Sequence, residues 1–227
     1  MGADFFPRLT AVANDHAECN RLVNEQAEVG LLMAGPGVLG TLTFAPLVIQ
    51  IFYSAKFDPA VEILRWICLG MILRVATWPM GFIPVAKGAR QTFFWSELVG
   101  NVVQVVLVWY GVQCFGLNGT GVAFFGSYVF FWFLVYAIVR SMSRFRWSAA
   151  NKQIGLLYGV LIGVVFASWY VLARPVMVLG GTGITLLGGI YSLKKLCTLV
   201  PVERLPRTVQ HCIVYLRLAA PARRVRA

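Results

Sequence analysis

The sequence predicts an all-α integral membrane protein, and three observations carry that prediction. Charged residues make up 13% of the 227-residue chain and hydrophobic ones 59%, where soluble domains carry about 25% and 45–50%. Six apolar runs recur along the chain, each near the roughly 20 residues that a spanning helix needs. Lys and Arg sit mostly between and after these runs. A mean hydropathy of +0.73 agrees. This composition excludes intrinsic disorder, a collagen-like repeat and a secreted disulfide scaffold.

The elements follow in order. Residues 1–28 read as a cytoplasmic N-terminal segment with a polar helix running into the first span. Five acids, Arg8, Arg21 and His16 make it the opposite of a cationic leader. Asp15 suits an N-cap, with Glu18 at capping-box spacing. Residues 29–139 form a four-helix membrane core, with spans predicted at 29–53, 63–86, 97–117 and 119–139. The first is charge-free, and Gly35-Pro36-Gly37 and Pro46 predict a kink or hinge in it. The fourth is charge-free and very aromatic, with Phe124, Phe125, Phe130, Phe131, Trp132 and Phe133 read as lipid contact and core. Residues 140–153 are a basic loop. Residues 154–193 hold a helix pair, 154–173 and 175–193, separated only by Arg174 and Pro175; two full spans and a tight hairpin both fit. Gly155, Gly159, Gly163 and Ala167 form a small-residue stripe that predicts close helix packing. The tail, 194–227, carries eight basic residues against Glu203. Val209, Cys212, Ile213 and Leu216 predict an interfacial amphipathic helix on anionic lipid there, rather than a nucleic-acid contact.

The basic residues also set a topology. With six spans, sixteen of the 20 Lys and Arg fall on one side of the bilayer and two, Lys56 and Arg174, on the other. The positive-inside bias then predicts that both termini are cytoplasmic. Cys19, Cys68, Cys114, Cys197 and Cys212 are scattered singly and read as small apolar residues, with no metal-ligand spacing. No phosphate-binding loop, dinucleotide glycine fingerprint or paired loop carboxylate is present. The prediction is therefore no enzyme, no catalytic residue and no cofactor.

Arg74 stands out. It lies about 12 residues from either end of its span, close to the midplane. A central Arg costs roughly 2.5–3.5 kcal/mol even on insertion scales. Its face also carries Ile67, Gly70, Met71, Thr77, Trp78 and Gly81, which points it into a bundle or a watery cavity. Two readings stand: capture of an anionic group by the guanidinium fork, or pairing with an acid such as Glu97. Arg65, three residues after Glu62, reads as an interfacial ion pair. Glu97, Asn101 and Gln104 share one face of the third span, as glue between helices or as the lining of a polar path.

The stretches ADFFPRLTAVAND, LTFAPLVIQIFYSAKFDPAVEILRWICLGMILRV and PVAKGAR resemble the C-terminal half of bacterial polysaccharide flippases over roughly residues 3–150. These are Wzx-type O-antigen translocases of the multidrug/oligosaccharidyl-lipid/polysaccharide exporter superfamily. The resemblance implies the C-terminal lobe of a MATE-like transporter in the bacterial inner membrane, working by alternating access. Its cargo would be an oligosaccharide on undecaprenyl pyrophosphate. It implies that Arg74 meets the anionic cargo, that Lys87 and Arg90 meet the pyrophosphate or fix topology, and that Glu97 couples an ion. Asn101 and Gln104 would line the path. Pro7–Leu9 resembles the end of the eighth helix of such proteins, and the resemblance implies that this chain is part of a longer protein. Other glycan-assembly membrane proteins are implied as partners. A drug or metabolite exporter of the same superfamily and a non-transporting scaffold of glycan assembly are the alternatives.

Overall fold

The computed structural model describes residues 2–53 and 57–199. Among them the chain is all-helical. In order come α1 (Gly2–Ala11), α2 (His16–Thr43), α3 (Ala45–Phe52), α4 (Ala60–Ala86), α5 (Arg90–Phe115), a 3-10 turn at Gly116–Asn118, α6 (Gly119–Ser143), α7 (Ala149–Val171) and α8 (Arg174–Leu199). Three helical segments are long and apolar enough to cross a membrane: Arg90–Ser143, Ala149–Val171 and Arg174–Leu199. A fourth appears if α2 and α3 count as one bent span. The residues between 154 and 193 thus belong to two long helices, of 23 and 26 residues. The amphipathic helix expected at Val209 to Leu216 lies outside the described residues.

Segment Arg90–Ser143 folds back on itself. A β-carbon added at Gly111 would sit 2.6 Å from the Gly119 carbonyl oxygen, and one at Gly100 would sit 2.7 Å from the Phe131 ring. These pairings run in opposite directions along the chain, so α5 and α6 form an antiparallel hairpin. Gly116 makes the reversal at φ +59°, a conformation that favours glycine. α2 and α4 occupy the middle of the molecule. α7 and α8 pack on α2, α6 packs on α4, and α5 packs chiefly on α6. Ser96 is the one buried side chain of α5, and Val105, Trp109 and Phe115 point outward.

Of the two places where the sequence predicted a kink in the first span, the break falls at the later one, Pro46. The helix continues through Pro36 and stops at Phe44, where α3 leaves at 79°. Pro46 explains the position. It lacks the N–H that would bond the Leu42 carbonyl. That carbonyl instead accepts from the Trp169 indole at 3.2 Å. At Gly35 a β-carbon would lie 2.5 Å from the Tyr158 ring, so glycine serves packing there rather than bending. The Tyr158 hydroxyl continues the contact by donating to the Gly188 carbonyl at 2.9 Å, which joins α2, α7 and α8.

Asp15 caps α2 by accepting from the backbone N–H groups of Ala17 and Glu18 at 2.9 and 3.1 Å. Glu18 leaves the reciprocal arm of the box unmade and pairs with Arg21. Beyond this cap, polar side chains gather the loops at one end of the molecule. Asn20 donates to the Ser143 carbonyl at 2.9 Å. Asn24 donates to the Arg146 carbonyl at 3.1 Å and accepts from the Ser148 N–H at 2.8 Å. Asn151 donates to the Asn24 carbonyl at 2.9 Å. Leu199 lines a cleft with Phe5, Leu22 and Val29. Residues 1–28, the 140–153 loop and the end of α8 therefore share one end. At the opposite end Arg65 pairs with Glu62 at 3.0 Å, as its spacing predicted. Tyr170 bonds the same carboxylate.

The small-residue stripe of α7 does not serve close packing. Among the described residues, β-carbons at Gly155, Gly159 and Gly163 would meet nothing within 4 Å. Gly155 and Gly159 instead border an open apolar groove with Leu31, Ile72 and Trp132. Tight approach falls on Gly35, Gly70, Gly100, Gly111 and Gly181, which face aromatic rings, backbone or Thr43.

This contrast is measurable. Gly111→Ala, pressed against backbone that cannot move aside, is expected to destabilise the hairpin by about 1–3 kcal/mol. Gly155→Ala should be neutral or gain up to about 1 kcal/mol through helix propensity. Thermal unfolding followed by circular dichroism in detergent checks both.

Candidate functional site

Arg74 projects from the middle of α4 into a cleft of about 390 Å³ between α4, α5 and α6. Thr77, Trp78, Gly81, Phe82 and Val85 continue the α4 wall. Phe93 and Glu97 come from α5, and Tyr128 and Phe131 from α6. Arg74 to Val85 spans about 16 Å of helix at 1.5 Å per residue. The α4 wall is uniform because 74, 77, 78, 81 and 85 recur at helical spacing.

The guanidinium is exposed to this cleft, and its carbon lies 5.7 Å from the centre of the Tyr128 ring. That distance is within reach of a cation–π attraction, which leaves the N–H fork free for other partners. Among the described residues Arg74 forms no ion pair. Glu97 lines the same cleft on the facing helix without bridging to it. The cleft thus presents separated positive and negative groups on an aromatic surface. Trp78 packs edge-to-face on Phe82 at 4.9 Å, and Phe82 on Phe5 of α1 at 5.9 Å, which anchors that surface to the neighbouring helix.

Glu97 also belongs to a smaller adjoining pocket of about 70 Å³. Asn101 and Gln104 reach it from α5, and Ser127, Tyr128 and Phe131 close it from α6. The polar stripe of α5 therefore faces its hairpin partner, with Gly100 admitting the Phe131 ring between the polar residues. Ser127 and Thr77 spend their hydroxyls on their own helices, donating to the Phe124 and Leu73 carbonyls at 2.8 and 2.7 Å. The polar groups offered to a guest are those of Arg74, Glu97, Asn101, Gln104 and the Tyr128 hydroxyl.

Arg74, Glu97, Asn101 and Gln104 are brought together; Lys87 and Arg90 stand apart. Lys87 donates from Nζ to the Ala13 carbonyl at 2.7 Å and lies 3.4 Å from His16 Nδ1. It clasps the turn between α1 and α2. Arg90 is the exposed first residue of α5 and borders neither pocket. Tyr128 was not singled out from the sequence, where it lies within an aromatic run. Its signal was the register of the α5–α6 hairpin, which sets residue 100 against residue 131.

Lys87→Met removes a charged donor from a carbonyl and is expected to cost about 1.5–3 kcal/mol. Arg90→Ala should stay within about 0.5 kcal/mol. Thermal unfolding of the two variants separates a structural clasp from an unpaired surface charge.

Comparison with family models, with curated proteins and with solved structures finds no match, so the chemistry of this cleft stands on its own residues.

Proposed function

We propose that this chain is the C-terminal lobe of a lipid-linked oligosaccharide flippase of the bacterial inner membrane. It acts on an oligosaccharide carried by undecaprenyl pyrophosphate. The observation that carries the reading is Arg74, a mid-helix guanidinium in a cleft of about 390 Å³ with no ion pair among the described residues. In a bilayer such a charge costs roughly 2.5–3.5 kcal/mol unless something anionic or watery receives it. A pyrophosphate accepts the two parallel hydrogen bonds that a guanidinium supplies. The aromatic wall of Trp78, Phe82, Tyr128 and Phe131 offers flat faces to the rest of the cargo.

In this reading the chain crosses the membrane six times, through the bent pair α2–α3 and through α4, α5, α6, α7 and α8. The end that gathers residues 1–28, the 140–153 loop and the end of α8 is cytoplasmic. Its Lys and Arg residues hold it on that side, as the positive-inside rule requires. A second lobe covers the outward face of α5, and glycan-assembly proteins of the same membrane are neighbours. Glu97 is the ion-coupling group, since a carboxylate that faces the guanidinium without bridging it is free to exchange partners when cargo arrives. Asn101 and Gln104 extend the polar path.

The test uses the full protein in cells that lack their resident flippase. At matched membrane abundance, Arg74→Ala is expected to lower surface glycan export at least about tenfold, given about 1.5–3 kcal/mol for a hydrogen bond to a charged group. Arg74→Lys, which keeps the charge and loses the fork, should retain an intermediate level. Undiminished glycan export in Arg74→Ala overturns the assignment. Efflux of soluble amphiphiles without any glycan dependence would reassign the cleft to a drug exporter.

A further inference from the structure

A second cleft, outside the candidate site, lies at the loop-gathering end of the molecule. It measures about 420 Å³, within the range of built ligand pockets. Its floor is apolar, with Phe5 and Leu22 buried and Val29 beside them. Its rim carries Asp4, Glu25 and Glu28 against one guanidinium, Arg8. Glu25 is engaged with Arg21. Asp4 and Glu28 form no ion pair among the described residues. Five of the chain's nine acids fall within residues 1–28, so this is the most acidic region of a protein with net charge +11.

One feature of the lining names the occupant. Leu199, the last residue of α8, is itself part of this cleft. The 28 residues that follow it are the most basic stretch of the chain, with Arg204, Arg207, Arg217, Arg223, Arg224 and Arg226 against Glu203. We propose that the chain's own C-terminal tail, through residues 200–217, docks in the α1–α2 cleft, with Arg204 and Arg207 meeting Asp4 and Glu28. Arg204 is five residues beyond Leu199, a reach of up to about 17 Å in extended chain. The tether also raises the local concentration of the tail to the millimolar range, as short linkers do. Val202 and Leu205 supply apolar side chains for the floor that Phe5, Leu22 and Val29 form. The cleft and the tail are complementary in charge and in hydrophobicity, and they are joined at one rim.

The competing occupant of the basic tail is anionic lipid, and the experiment separates the two. The full chain carries Gln26→Cys in the cleft and Leu205→Cys in the tail, with Cys114, Cys197 and Cys212 changed to Ser. It is placed in nanodiscs of phosphatidylcholine alone or with one-third phosphatidylglycerol, and disulfide formation is followed under mild oxidation. The expected result is an efficient cross-link in both lipids. Adding Asp4→Lys and Glu28→Lys should lower it at least about fivefold, the scale that two exposed ion pairs supply. Further adding Arg204→Glu and Arg207→Glu should restore it, which shows that the charge variants still fold. Raising salt from about 0.1 to 1 M shortens the Debye length from about 10 to 3 Å and should weaken the cross-link in the parent pair. A cross-link indifferent to both charge and salt overturns the proposal. So does a cross-link lost when phosphatidylglycerol is added, which would give the tail to the membrane.

Discussion

In an apolar chain of this kind the first demand is that every backbone polar group find a partner inside the protein. The bilayer interior offers no water in exchange, and each unmet group costs several kcal/mol. Helices meet the demand over most of their length; the ends and breaks do not. The structure is organised around those places. Pro46 frees the Leu42 carbonyl, and the Trp169 indole takes it. The carbonyls of Ser143 and Arg146 where α6 gives way to its loop, and the N–H of Ser148 before α7, are received by Asn20 and Asn24. The Ala13 carbonyl before α2 is taken by Lys87.

Two charged groups of the helix shafts border one cleft. Two ionisable groups, Arg74 and Glu97, sit on facing helices with an aromatic wall between them. Their separation matters energetically. A bridged pair would neutralise both charges and close the space, whereas separated groups keep the cleft open and polar. The α5 wall, carrying Glu97, Asn101 and Gln104, rests almost wholly on α6. The α4 wall, carrying Arg74, belongs to the packed centre. One side of the cleft is anchored and the other hangs on a single neighbour, which places α5 toward the less stable end of the molecule.

The positions of the long helices were legible in the sequence because hydropathy and charge both mark them. α4 begins and ends within three residues of its expected bounds. α5 begins seven residues early, since Arg90 and Gln91 continue the helix beyond the apolar run. Arg74 and Glu97 were legible for the reason that makes them costly: a charge in an apolar run has no background to hide in. The contact of Lys87 was not legible, because its partner is a backbone carbonyl, which leaves no trace in side-chain pattern. The glycine stripe of α7 was misjudged because a four-residue period describes a flat face and says nothing of its neighbour. Gly35-Pro36-Gly37 and Pro46 were both read as kink or hinge positions; the helix breaks at Pro46, while the pressure at Gly35 comes from the ring of Tyr158, 123 residues away in the chain. Tertiary contacts at that separation decide which of several permitted breaks is used.

Trp169 holds two features together that lie on different helices. Its ring nitrogen bonds the carbonyl exposed by the break between α2 and α3. The face of the same indole lies 3.8 Å from the guanidinium carbon of Arg65, which pairs with Glu62. An indole is rigid, so its edge and its face cannot adjust independently. The angle at which α3 leaves and the seating of the Arg65–Glu62 pair are consequently set by one ring orientation. A rearrangement that straightened the elbow would have to lift the guanidinium from the ring or give up the carbonyl. The far end of this protein thus behaves as a mechanical unit, in which the course of one helix is registered as the exposure of a charge on another.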